Sequence, residues 1–255
     1  MTSADFDSIA LAEGVNATLA STAIVGTSVV AITGANAGVT ESVTINAAAA
    51  TSAINIAHVT TVTDLASITI NDNTGANVIT SSITDSVRAI TTINLANGGS
   101  DQVRINNSAL VSADTTEAVI QNFTTGSGAG RDQLQTALTT TGTVVFDNGY
   151  QSNETVTQAT ITVLADSVLE VGTGFGQLIS TAAPDALALA NAAFTKTVAA
   201  DEAYAVVIYG GGNAYLYQMT LADGGAGADA FTAAELVATI VGVNTNSLEA
   251  VNFYA

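Results

Sequence analysis

The chain has 255 residues and no cysteine, and its 22 Asp and Glu residues outnumber 4 Lys and Arg, which gives a formal net charge of -18 at pH 7. The absence of cysteine excludes disulfides, thiol catalysis and cysteine-ligated metal sites. The shortage of cationic residues excludes a phosphate-binding surface, so nucleic acid is not an expected partner. Acidic, oxygen-rich loops instead favour calcium as a counter-ion, although acidity that serves solubility alone explains the composition equally well.

The N-terminal residues 1–21 lack the basic region and the apolar run of a secretory signal peptide. No apolar stretch anywhere reaches the roughly 20 residues that a membrane span requires. We predict that residues 1–21 form an arm that can add as an exchanged strand to a neighbouring copy.

Residues 22–138 are predicted to form a repetitive β domain, because apolar residues alternate with Thr, Ser and Asn. The predicted strands cover residues 28–33, 42–46, 52–57, 66–71, 77–84, 89–95 and 102–106. Gly- and Asn-rich turns separate them at 34–38, 71–77 and 97–101. A thin core of Val, Ile and Ala favours a β-solenoid-like region, with a β-sandwich as the alternative.

Residues 139–255 are predicted to be a smaller β-rich module with two short helices, so that the fold class is mainly β. Paired strands are expected at 141–150 and 154–164, and a hairpin at 202–222 around the turn 210–213. One helix is expected at 183–194, where Pro184 suits the first turn. The second is expected at 231–243, because Thr232 and Glu235 have capping-box spacing.

The sequence offers little for catalysis, so we do not expect an enzyme. Its one histidine, His58, lies in a strand pattern, where a lone imidazole is more typical of a surface or cross-strand residue than of a base. Carboxylate pairs such as Asp201 and Glu202 lack the aromatic groove that a glycosidase requires.

Residues 224–232, GGAGADAFT, match the nonapeptide G-G-x-G-x-D-x-U-x. In this stretch the chain resembles the repeats-in-toxin proteins, which type I secretion exports and which include surface-layer proteins and adhesins. The resemblance implies calcium on Gly225, Gly227 and Asp229, with help from Asp223. The same glycines also suit an ordinary loop before a helix.

Two further segments resemble type I-secreted surface proteins. The run GGSDQVRIN (98–106), followed by residues 117–134, is similar to the segment that closes their repeat region, with Asp101 and Asp132 as its acids. The resemblance implies that these two acids are further calcium ligands. The C-terminal residues 252–255 resemble the end of an uncleaved export signal. The resemblance implies an extracellular or cell-surface location without an N-terminal signal peptide.

These features predict an extracellular structural protein that associates with copies of itself into a surface layer, filament or biofilm matrix, assisted by calcium. Strands without Lys or Pro leave edges that pair readily with another copy, and residues 22–138 contain neither. The alternative is an adhesin module that binds cell-surface polysaccharide through Tyr204, Tyr209, Tyr215 and Tyr217, although these rings are also suited to a hairpin core.

Overall fold

The computed structural model describes residues 8–10, 16–20, 26–33, 41–50, 54–60, 65–83, 90–96, 98–105, 118–139, 143–145, 150–153, 157–162, 164, 167–225, 227, 229–245 and 247–254. The first eleven strands are β1 (Ser8–Ala10), β2 (Asn16–Ala20), β3 (Gly26–Thr33), β4 (Glu41–Asn46), β5 (Ile54–Thr60), β6 (Leu65–Asn71), β7 (Val78–Ile83), β8 (Ile90–Asn94), β9 (Gln102–Ile105), β10 (Ala118–Gln121) and β11 (Gln133–Thr139). They are followed by β12 (Thr143–Val145), β13 (Tyr150–Asn153), β14 (Ala159–Thr160), β15 (Val168–Val171), α1 (Ala183–Ala193), β16 (Phe194–Thr195), β17 (Glu202–Gly210), β18 (Asn213–Ala222) and β19 (Ala230–Ile240). The prediction of a mainly β fold is confirmed.

Strands β1 to β11 alternate between two sheets, and we call these strands the parallel stack. The odd-numbered strands pair in the order β1-β3-β5-β7-β9-β11, and the even-numbered ones in the order β2-β4-β6-β8-β10. All of these pairs are parallel. The offset between paired residues varies from 23, as between Ser67 and Ile90, to 31, as between Gln102 and Gln133. This variation explains why the strand pattern of residues 22–138 recurs along the sequence without a fixed period.

The register of the even-numbered strands stacks aliphatic side chains above one another. Ile45, Ile70, Ile93 and Ile120 pair in sequence along β4, β6, β8 and β10 and are fully buried. They share one core with residues of the odd-numbered strands, including Val103. Burial of such side chains contributes about 1.5–3 kcal/mol each, so this core holds the two sheets together.

The C-terminal strands extend the even-numbered sheet to ten strands, in the order β13-β15-β17-β18-β19-β10-β8-β6-β4-β2. The junction is β19, which runs parallel to β10 on one side and antiparallel to β18 on the other. Alternate residues of β17 then face two cores. Ala205 and Val207 belong to the core of the parallel stack, whereas Val206 and Ile208 belong to a second core with α1.

Several predicted elements of the second half are confirmed. The helix begins at Ala183 and ends at Ala193, with Pro184 in its first turn. The hairpin consists of β17 and β18, joined through Gly211 and Gly212, which both have positive φ. In the first half, all seven predicted strand segments correspond to strands from β3 to β9.

The predicted second helix at 231–243 is wrong, because this segment forms β19. Thr232 and Glu235 lie in a strand, and Phe231 packs edge-on against Tyr204 with ring centroids 6.1 Å apart. The capping pattern is a local signal, whereas β19 completes the hydrogen-bonded ladders of β18 and β10 together. Tertiary pairing outweighs local helix propensity at such a position.

The predicted pairing of 141–150 with 154–164 is also wrong. The strands in and between these segments pair elsewhere: β12 with β11, β13 with β15, and β14 with β16. Period-2 alternation identifies a strand but does not select its neighbour.

The predicted division into residues 1–21, 22–138 and 139–255 stays a prediction, as does the choice between a solenoid-like region and a sandwich. Residues 8–10 and 16–20 of the predicted arm pair here with β3 and β4 of the same chain. The predicted turn at 34–38 lies outside the described residues. In the described part of the chain, no helix is long and apolar enough to cross a membrane.

Candidate functional site

Acidic and amide residues occupy equivalent positions before three neighbouring strands. Asn77, Asp101 and Asp132 each come directly before β7, β9 and β11, whose first residues are in register. The Asn77 N–H donates to Asp101 Oδ1 at 2.7 Å, and the Asp101 N–H donates to Asp132 Oδ1 at 2.9 Å. Asp101 and Asp132 therefore fix the backbone just before the neighbouring strand of the same sheet, β7 and β9 respectively.

A third carboxylate, Asp72, lies beside this series at the end of β6. Its Oδ1 accepts from the Ala96 N–H, and its Oδ2 accepts from Asn77 Nδ2 at 3.3 Å. Asp72, Asp101 and Asp132 are only 2 %, 1 % and 2 % exposed. We call these three residues the carboxylate column.

Burial dominates the electrostatics of the column. Desolvation, reinforced by the charges of Asp101 and Asp132, raises the pKa of Asp72 to about 7. Desolvation, reinforced by Asp132, raises the pKa of Asp101 to about 6. Burial also raises the pKa of Asp132, against the N–H groups of Thr124 and Asp101 that favour its charged form. The column therefore takes up protons as the solution becomes mildly acidic.

One oxygen of the column has no hydrogen-bond partner: Asp101 Oδ2, which is buried. A proton on the column would relieve both this unsatisfied acceptor and the repulsion between neighbouring carboxylates. Across the described residues, no three His, Cys, Asp or Glu side chains are placed to hold a metal ion together. Calcium on Asp101 and Asp132 stays a prediction. The structure brings these two residues together, with the Asp101 N–H on Asp132 Oδ1, a contact that the sequence did not predict.

The other predicted calcium residues lie in the connection between β18 and β19. Asp229 Oδ1 accepts from the Gly224 N–H and Oδ2 from the Val198 N–H, each at 2.7 Å. Asp223 Oδ1 accepts from the Gly225 N–H at 2.8 Å. The carbonyl of Gly227 accepts from a threonine hydroxyl at 3.3 Å.

The nonapeptide thus joins two antiparallel strands, and each Asp229 carboxylate oxygen accepts one backbone N–H hydrogen bond. Calcium at this connection stays a prediction.

No family model, curated protein or solved structure matches this chain. The site must therefore be interpreted from its own geometry.

The four tyrosines of the hairpin are largely part of the core. Tyr204, Tyr209 and Tyr217 are at most 3 % exposed, and Tyr215 is half-buried. The hydroxyl of Tyr204 and Nζ of Lys196 both donate to Glu202 Oε2, at 2.6 Å. Buried rings cannot stack on a sugar, so this arrangement gives no support to the polysaccharide-binding alternative.

His58 and the C-terminal segment have defined places in the backbone pairing. His58 lies on β5, in register with Val30 and Ser81, and its side chain lies outside the described part. Phe253 bridges to Leu134 of β11. Asn252 and Phe253 of the predicted export signal therefore pack against the stack, and the role of residues 252–255 in export stays a prediction.

Asp72 and Asn77 are not among the predicted site residues, because the sequence pattern assigns them only to a turn. A signal was present in the repeated Asp-Gln-aliphatic triplets that begin at Asp101 and Asp132. Because these triplets lie at the start of two neighbouring strands, they mark equivalent positions in the sheet, and Asn77 before β7 extends the same series.

Proposed function

We propose that this protein is an extracellular structural protein that associates with copies of itself into a filament, surface layer or matrix. The observation that carries the proposal is the parallel stack, in which two sheets share one core. Strands at the margin of such a stack present a row of backbone N–H and C=O groups that another chain can pair with.

The composition of the margin strands supports this proposal. The margins of the two sheets are β1 and β12 in one and β2 and β13 in the other. None of these four strands contains a charged residue or a proline. Proteins that avoid edge-to-edge association usually place Lys or Pro at such edges, so these margins favour association.

Calcium assistance is part of the proposal and has a separate test. A chain with a net charge of -18 repels its copies, and bound divalent cations would reduce that repulsion. The change in Tm on adding millimolar calcium can be compared between the unaltered chain and Asp229→Ala. A smaller shift in the variant supports calcium at the β18–β19 connection, and an equal shift removes that location.

Electron microscopy of the purified chain, with and without millimolar calcium, tests the proposed function itself. We expect ordered polymers or lattices, with more of them in calcium. Monodisperse particles of about the monomer mass in both conditions would contradict the proposal.

A further inference from the structure

The two sheets reach a common end at β1 and β2. In the described part of the chain, β1 has one strand neighbour, β3, and β2 has one strand neighbour, β4. The outer side of each strand therefore presents backbone groups at the same end of the stack. A partner that pairs with the outer backbone groups of both β1 and β2 has to supply two strands at the spacing of the two sheets.

The side chains of β2 also mark an incompletely covered end of the core. Ala17 and Leu19 are half-buried and pack against the core of the stack, whereas Asn16 and Thr18 are exposed. The next strand inward has fully covered core residues, Val43 and Ile45. A partner strand placed beside β2 would cover Ala17 and Leu19 as β4 covers them from the inner side.

The opposite end of the stack does not offer two matching strands. The outer side of β11 is already occupied, because its residues 137–139 pair with β12 and Leu134 bridges to Phe253. The ten-stranded sheet instead continues to a single margin at β13. A head-to-tail contact would thus have to use β12, which runs antiparallel to β11, in one sheet and β13 in the other.

We propose that the β1–β2 end is a two-fold joint between two copies of this chain. This inference rests on the proposed self-association and names its contact. In the joint, β2 pairs antiparallel with β2 of the second copy, and β1 pairs with its counterpart in the same way, so that each sheet continues across the axis. A two-fold contact pairs each strand with its own copy, and neither strand brings a like charge into the contact.

Thr18→Lys tests the joint, and Thr232→Lys is its matched control. Both threonines are exposed on strands, but Thr18 lies on the margin strand β2 and Thr232 on the interior strand β19. Sedimentation velocity of the unaltered chain should show a dimer of about twice 25.4 kDa. We expect Thr18→Lys to raise the dimer dissociation constant by at least about tenfold, and Thr232→Lys to leave it unchanged. Equal behaviour of the two variants, with melting curves like that of the unaltered chain, would overturn the joint.

Cysteine trapping tests the strand pairing directly, because the chain has no cysteine of its own. Opposite residues of antiparallel strands have Cα atoms about 4.5–5.5 Å apart, within the reach of a disulfide. Oxidation of Thr18→Cys, of Asn16→Cys, or of their mixture should give a covalent dimer. Cross-linking of Thr18→Cys to Ser152→Cys on β13 would instead establish head-to-tail contact.

The outcomes separate this inference from the proposed function. Polymers that form without any cross-link through β2 would overturn the joint and leave self-association standing. A chain that stays monomeric at all concentrations would contradict both.

Discussion

Replacing Asp101 by asparagine tests whether the carboxylate column destabilises the fold near neutral pH. Desolvation and the neighbouring Asp132 raise the pKa of Asp101 from 3.8 to about 6. The folded state therefore binds more protons than the unfolded state between about pH 4 and pH 6, and stability falls as the pH rises through this window. At about 1.4 kcal/mol per tenfold change in proton affinity, ionised Asp101 lowers the free energy of unfolding by about 3 kcal/mol.

Asp101→Asn removes the charge and keeps the acceptor for the Asn77 N–H. It also places an amide where Asp101 Oδ2 has no hydrogen-bond partner. We expect the variant to exceed the unaltered chain by up to about 3 kcal/mol in free energy of unfolding near pH 8, and the difference to approach zero near pH 4. Urea unfolding followed by circular dichroism across this range measures both values.

Asp185→Asn provides the control, since Asp185 is an exposed acid on α1 and its replacement changes the net charge by the same amount. This control should show little of the pH-dependent gain. Destabilisation by ionised Asp101 is refuted if Asp101→Asn is less stable than the unaltered chain near pH 8, or if its gain is the same near pH 4. An equal gain in Asp185→Asn would refute it too.

Three further predictions concern stability. Thr136 is 1 % exposed, and its Oγ1 has no hydrogen-bond partner. Thr136→Val should therefore raise the free energy of unfolding by about 1 kcal/mol in a urea titration. Thr91→Val removes a hydrogen-bonded hydroxyl and should lower it. Gly99→Ala should lower the free energy of unfolding by more than about 2 kcal/mol, because φ is +97° and the added Cβ would lie 2.3 Å from a backbone oxygen. The Cβ added by Gly128→Ala meets no atom within 4 Å, so that variant should leave Tm nearly unchanged. Asn252→Ala removes a buried amide that joins the C-terminal segment to the stack. It should lower the free energy of unfolding by about 1–3 kcal/mol and increase hydrogen exchange in β11. Unchanged exchange in β11 would contradict this role of Asn252.

Strands such as β6 were predictable because their described side chains alternate between fully buried and half-buried positions. Ile68 and Ile70 are fully buried, and the residues between and beside them are half-buried. This period-2 pattern is a local property of the sequence. Strand partners are not local, since the offset between paired residues varies along the stack, and the parallel order of every second strand could not be derived from spacing alone.

The contacts within the candidate site were likewise not predictable from local sequence patterns. Asp101 and Asp132 could be identified from the segments that contain them, but their contact depends on a register that places residues 31 positions apart side by side. Asp72 joins them from the end of another strand. The prediction of a helix at 231–243 was wrong for a related reason. Thr232 and Glu235 have the spacing of a helix start, and only pairing with the neighbouring strands β18 and β10 makes β19 the better arrangement.

Sedimentation velocity of the unaltered chain, from micromolar to millimolar concentrations and with and without calcium, tests most directly whether this protein acts by associating with itself. We predict that the weight-average mass rises with concentration above 25.4 kDa through a dimer to larger species. A single species of 25.4 kDa at every concentration, in both conditions, would contradict the proposed function.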